Sequence, residues 1–100
     1  MEALPENFTE NGYKYTQIKR DGMVAIYKRE KLHHFDFEVV KIHVQQAREA
    51  FGKSYPTKEM YPAASGWGAT GFTCVTTDRA NAKFDELIKK QQKHAKTTTN

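Results

Sequence analysis

The chain has 100 residues, 38% of them hydrophobic and 28% charged, with 16 Lys+Arg against 12 Asp+Glu for a formal net charge of +4. That length holds one domain and excludes two independent cores, and an aromatic content of 12% excludes a wholly disordered chain. No apolar run approaches the ~18 residues of a membrane span, and the segment Met1–Glu6 carries neither a basic start nor an apolar stretch, so export and membrane contact are not expected. The single cysteine, Cys74, excludes an intramolecular disulfide and a multi-cysteine zinc site, and it suits a reducing cytoplasm, the expected location.

The distribution of charge says more than its total. From Lys89 onward the chain carries Lys89, Lys90, Lys93 and Lys96 and no acid, so the rest is formally balanced. A wholly basic nucleic-acid wrapper is not indicated.

In chain order, residues 1–11 hold Pro5, Asn7 and Asn11 without a clean period and are expected to be a loosely ordered lead-in. From Gly12 to Arg20 the pattern alternates, with Tyr13, Tyr15 and Gln17 opposing Lys14, Thr16 and Ile18, which indicates a strand. Asp21-Gly22 predicts a type I′ hairpin turn. Met23–Lys31 is the return strand, Met23, Ala25 and Tyr27 on one side and Val24 and Ile26 on the other. A third strand is expected over Phe35–Val44, apolar on both faces, with burial around Asp36 and Glu38 deepening only toward Val40. Val44, Ala47 and Phe51 fit a short helix near Gln45–Phe51 ended by Gly52, unless the third strand simply runs on.

Residues 53–71 contain Tyr55-Pro56, Tyr61-Pro62 and a Gly/Trp-rich run, read as a long loop packed by its own side chains or used for recognition. Phe72–Thr76 is a fourth strand. A helix capped by Thr77 or Asp78 then runs to about Lys93, with Ala80, Phe84, Leu87 and Ile88 as its apolar stripe, and residues 94–100 form a frayed tail. The expected fold is α+β: a four-stranded, mainly antiparallel sheet with one C-terminal helix on one face, in the order β-β-β-loop-β-α, folded over residues 12–93 as one domain.

No arrangement of residues specifies a reaction. Cys74 sits in an apolar strand context and reads as a buried structural thiol. His33 and His34 point to opposite faces of a strand, and His34, Asp36 and Glu38 share one side but in line, so the cluster does not surround a metal ion. Gly66-Trp67-Gly68-Ala69-Thr70-Gly71 lacks the Lys-Ser/Thr of a phosphate loop and precedes a strand. No enzymatic activity, cofactor or metal is expected. Two binding readings remain. Trp67, Tyr61 and Tyr55 are candidate anchors for a protein partner, because tryptophan and tyrosine dominate interface hot spots. Lys19, Arg20, Lys28 and Arg29, interleaved with Tyr13, Tyr15 and Tyr27, are the alternative, a surface for single-stranded nucleic acid in which charges hold the backbone and rings stack on bases.

The segments Phe37-Glu38-Val39-Val40-Lys41-Ile42, Gly52-Lys53, Glu59-Met60-Tyr61-Pro62, Trp67-Gly68-Ala69-Thr70-Gly71-Phe72-Thr73 and Ala80…Phe84-Asp85-Glu86-Leu87 form an arrangement that resembles small uncharacterised proteins of bacteriophages and other mobile elements, over about residues 12–88. The resemblance transfers no catalytic or binding residue. It implies a setting: an accessory protein in the host cytoplasm that acts by binding a host protein, as a modulator or inhibitor.

Overall fold

The computed structural model describes residues 2–98, with side chains as far as Gln91 apart from Ala64. The strands are β1 (Asn7–Glu10), β2 (Tyr13–Asp21), β3 (Val24–Lys31), β4 (His34–Lys41), β5 (His43–Gln45), β6 (Arg48–Ala50), β7 (Lys53–Tyr55), β8 (Lys58–Met60) and β9 (Gly71–Cys74), followed by helix α1 (Thr77–Thr98). Of the expected tail, the backbone to Thr98 is helical, and Thr99 and Asn100 lie outside the described residues. The fold is α+β: five antiparallel strands in the order β1-β2-β3-β4-β9, with α1 packed on one face.

The fifth strand comes from the expected lead-in. Asn11 and Gly12 both take positive φ, 54° and 82°, the sign pattern of a type I′ turn, so β1 folds back on β2 with Glu10 opposite Tyr13. The pairing is held by apolar burial as well as the ladder: Phe8 stacks on Tyr15 at 4.5 Å between centroids, and Leu4 enters the core at 8% exposure. The next hairpin turns one residue later than Asp21-Gly22 predicts. Asp21 pairs with Val24, so Gly22 and Met23 form the turn, and only Gly22 has positive φ (61°). That is the type II′ pattern, in which glycine takes the first central position.

Ile18 is a bulge in β2, because Gln17 pairs with Tyr27 whereas Lys19 pairs with Ile26. The extra residue reverses the alternation. Arg20 thereby shares a face with Tyr15, while Lys19 turns to the helix, its ammonium 4.5 Å from the Phe84 ring centroid.

The helix begins where Thr76 Oγ1 accepts a hydrogen bond from Arg79 N (3.2 Å), one residue before the expected cap. Its stripe meets the sheet as the spacing predicts: Ala80, Phe84 and Leu87 are buried against Val24, Ile26, Phe37, Val39 and Cys74, with Ile88 at the margin. Full burial of a side chain such as Phe84 or Leu87 contributes about 1.5–3 kcal/mol.

The opposite face has its own core of Leu4, Tyr15, Ala25, Tyr27, Val40 and Ile42. No helix covers it. Its cover is the segment before β1 together with residues 61–70, which contain a single 3-10 turn at Ala64–Gly66. Trp67 closes this cover over β9: its indole N–H donates to Thr73 Oγ1 (2.9 Å), and its ring lies on Gly71. A β-carbon at Gly71 would overlap that ring. Gly71→Ala is therefore expected to expel Trp67 and cost about 1–3 kcal/mol, the usual range for overpacking. Urea denaturation measures the loss, and the emission of the sole tryptophan, shifted to the red, reports the displacement.

Candidate interaction surface

Residues 43–60 form neither the short helix nor a loop. Residues His43–Gln45 pair with Met60–Lys58, and Arg48–Ala50 pair with Tyr55–Lys53, so two short ladders follow one another along a single two-stranded arm. Between them Thr57 Oγ1 accepts a hydrogen bond from Ala47 N (3.1 Å). The helical spacing of Val44, Ala47 and Phe51 yields to this pairing because Phe51 and Gly52 both adopt left-handed backbone, φ 52° and 75°, and close a two-residue hairpin tip. The outline is open, with a Cα radius of gyration of 15.0 Å against about 13 Å for a compact chain of this length.

The root of the arm is fastened to the sheet. Arg20 Nη1 and Nη2 donate to the two oxygens of Glu59 at 2.8 and 2.7 Å, and Leu4 N donates to the same carboxylate at 3.0 Å. Glu2 adds backbone bonds on both sides of Lys58, from its N–H to Thr57 O (3.2 Å) and from Glu59 N–H to its carbonyl (2.8 Å). The outer half is free. Phe51 is 100% exposed, and on either side of it Arg48, Glu49, Gly52, Lys53 and Ser54 are exposed while Ala50 and Tyr55 are half-buried.

Where the arm rejoins the domain lies a polar centre on the face of the sheet opposite the helix. Asp36 and Glu38 are buried at 7% and 4% exposure, from the start of β4 rather than only toward Val40. Each is paired. Arg29 donates to both oxygens of Asp36 (2.9 and 2.7 Å) and reaches Glu38 at 3.2 Å, while Tyr61 Oη donates to Glu38 at 2.5 Å. Burial raises the Glu38 carboxyl above its ordinary range, opposed by the Tyr61 hydrogen bond and the Arg29 charge. Burial first, then Glu38, raises the Tyr61 hydroxyl far above a free phenol. A recess of about 330 Å³ opens here, lined by Tyr15, Arg29, Glu38, Tyr61 and Trp67 among others. A second, of about 610 Å³, lies at the arm's root over Ile42, Met60, Tyr61 and Pro62, with Lys41, His43 and Gln45 at its rim.

The residues singled out from sequence are distributed as follows. Tyr61 and Trp67 lie together, 6.5 Å between ring centroids, as cover for the sheet; Trp67 is 36% exposed. Tyr55 is on the arm, its ring 5.4 Å from the Arg48 guanidinium. Tyr15 and Tyr27 are buried in the second core and Tyr13 packs at its margin, none of them under the helix. The four cations do not share a face. Arg20 and Arg29 are paired with Glu59 and with Asp36 and Glu38, whereas Lys19 lies toward the helix and bonds Asn81 (3.3 Å), and Lys28 pairs with Glu30 (3.2 Å) over Phe35. A stacking surface for single-stranded nucleic acid is not assembled from this set. Cys74 is buried, and burial raises its thiol against the pull of Lys83 and Arg79. Among the described residues no three His, Cys, Asp or Glu side chains are placed to hold a metal ion, and no helix is long and apolar enough to cross a membrane.

Sequence reasoning missed Phe51. Its one signal was the Phe51-Gly52 pair flanked by residues able to form two strands, a turn signal weaker than Asn-Gly. No protein-family model, curated protein or solved structure matches the chain.

The ion pair at the arm's root gives a pH signature. Arg20 and then the Leu4 amide hold the Glu59 carboxyl down at about 2, below its ordinary 4.5. A depressed carboxyl stabilises the fold fully above its unfolded pKa, and the contribution is lost as pH falls through the folded value. Denaturation midpoints between pH 4.5 and pH 2 are expected to fall less steeply in Glu59→Gln than in the unaltered protein. Identical slopes would show that the pair carries no such linkage.

Proposed function

We propose that the protein is a small non-enzymatic interaction module whose contact element is the β-arm, with Phe51 as its leading anchor. One observation carries this reading: a large aromatic side chain stands 100% exposed on a backbone with φ 52°. A β-carbon in the left-handed region costs of order 1–2 kcal/mol, and glycine or asparagine would remove most of that cost. Strain retained together with full exposure of an apolar ring has no benefit to the folded chain alone. It gains a purpose when the ring enters a partner. In the setting that the resemblance implies, the partner belongs to the host cell, the site of action is the cytoplasm, and occupation of the partner modulates or inhibits it.

The role of anchor thus moves from Trp67 and Tyr61, which are engaged in covering the sheet, to Phe51 on the arm that also carries Tyr55. Leu32 supplies an internal control. It too is exposed, at 94%, with φ 56°, so strain and exposure alone do not single out Phe51. Its place at the tip of the arm does, whereas Leu32 closes the β3–β4 hairpin of the main sheet.

Phe51→Asn and Leu32→Asn are each expected to leave the fold intact and raise its stability by about 1 kcal/mol in urea denaturation. In host-cell extract, a photo-crosslinker placed at Ser54 should give a discrete adduct with the unaltered protein and with Leu32→Asn. The adduct should disappear with Phe51→Asn. An adduct that survives Phe51→Asn removes the arm tip from the proposed function.

A further inference from the structure

We infer that the arm's partner is double-stranded DNA, with Phe51 acting as a wedge between base pairs and the basic end of the domain seated on the flanking phosphates; the inference rests on the arm being the contact element.

Three observations converge on it. The first is where the cations are. The end of the sheet from which the arm leaves is also where α1 arrives. Gln91 Oε1 accepts a hydrogen bond from Met23 N (3.2 Å), and Lys90 and Gln91 line one recess with Met23, Val24, Lys41 and Ile42. Lys41 at the arm's root and Lys90 on the helix therefore lie together, with Lys89 next to Lys90 in sequence, and Lys58, Arg48 and Lys53 continue outward from that root along the arm. All but the half-buried Lys58 are exposed. The acids at this end are fewer: Glu2, Asp21, Glu49 and Glu59, and Glu59 is neutralised by Arg20. Among the described residues, cations thus outnumber acids along the arm and at its root, although the sequence places them in separate stretches.

The second observation is shape. A two-stranded ribbon is narrow enough to enter a DNA groove, and the major groove admits one directly. The third is the tip. Minor-groove binders, a class that includes β-ribbon proteins, frequently insert apolar side chains, phenylalanine among them, between base steps and kink the helix there, while cations beside the wedge take the phosphates. Arg48 and Lys53 stand two or three residues from Phe51 on the two strands of the arm. A protein partner accepting Phe51 needs an apolar pocket with an acidic rim. The duplex meets both requirements without a dedicated pocket: a base step that is unstacked, at a cost of a few kcal/mol, offers two apolar faces between phosphates.

The test uses the full chain and a fluorescently labelled 20-base-pair duplex carrying a FRET pair at its ends. Anisotropy at 50 and 200 mM salt should show binding that weakens steeply with salt. The double variant Arg48→Gln/Lys53→Gln should lower the slope of log K against log salt by about 2, at about 0.9 for each phosphate no longer neutralised. Phe51→Ala should weaken binding about tenfold, the usual effect of removing one aromatic ring stacked on a base, leave the salt slope unchanged, and abolish the FRET change that reports a kink. Leu32→Ala should alter none of these. Absence of duplex binding at 50 mM salt overturns the inference, and so does binding that is indifferent to Phe51→Ala, which marks counterion release alone. If the duplex fails while the Ser54 adduct in extract still depends on Phe51 and contains protein, the partner is a protein and the interaction-module reading stands. If the adduct is also indifferent to Phe51, both readings fall.

Discussion

Burial of the Glu38 carboxylate governs the arrangement of the whole second face of the sheet. A carboxylate withdrawn from water and left unpaired costs several kcal/mol, so β4 requires donors on that side. Arg29, its neighbour on β3, supplies one but is already committed bidentately to Asp36. The other is the Tyr61 hydroxyl, which has to be brought from residues far along the chain. Once Tyr61 is seated, its ring meets Phe8, Tyr15 and Tyr27 edge-on at 5.3–5.8 Å, Trp67 stacks beyond it, and Gly71 has to lack a side chain to admit the indole. The arm is the remainder of this closure. Residues 43–60 leave the sheet after β4 and return in time to deliver Tyr61, and the Arg20–Glu59 pair fixes the point of return.

Much of the main sheet and the helix was legible because their signals are local and periodic. Alternation in β2, β3 and β4 assigned side chains to the correct faces, and the stripe Ala80, Phe84, Leu87 and Ile88 placed α1. Where the reading fell short, a tertiary partner or a single turn decided the outcome. Asn11-Gly12 is a strong turn signal, yet the four residues before it have no apolar alternation, and β1 forms because Phe8 finds Tyr15. Asp36 and Glu38 looked like a solvated strand entry because their partners are Arg29, on another strand, and Tyr61, 23 residues from Glu38. The Ile18 bulge is silent in the pattern, although it alone turns Arg20 toward Glu59.

The candidate site was less legible for a related reason. Composition identifies aromatic residues but not which of them the fold consumes. Trp67 and Tyr61 are the larger and more typical anchors, and both are used to cover a sheet that has only one helix. Phe51 fitted a helical repeat with Val44 and Ala47, and only the pairing of Arg48–Ala50 with Lys53–Tyr55 shows that it stands at a tip with nothing around it. The same pairing redistributes charge. Separate stretches of sequence carry Lys41, Arg48, Lys53, Lys58 and Lys90, and the fold brings Lys41 beside Lys90 at the root of the arm on which the other three stand.

An arm of this kind binds well only if it is presented rather than found. Ordering each flexible side chain or backbone segment on association costs affinity, and a free loop over residues 43–60 would forfeit most of its interaction energy that way. Here the cost is limited before any partner arrives. Two ladders and the Thr57 bridge define the arm's path, an isolated bridge between Glu2 and Lys58 adds a contact at its root, and the buried face fixes where it starts and stops. The strain at Phe51 belongs to the same logic. A glycine or asparagine tip would be more comfortable, but it would present no apolar surface. The unfavourable φ at Phe51, of order 1–2 kcal/mol, is the cost of holding that ring outward and fully exposed at the tip.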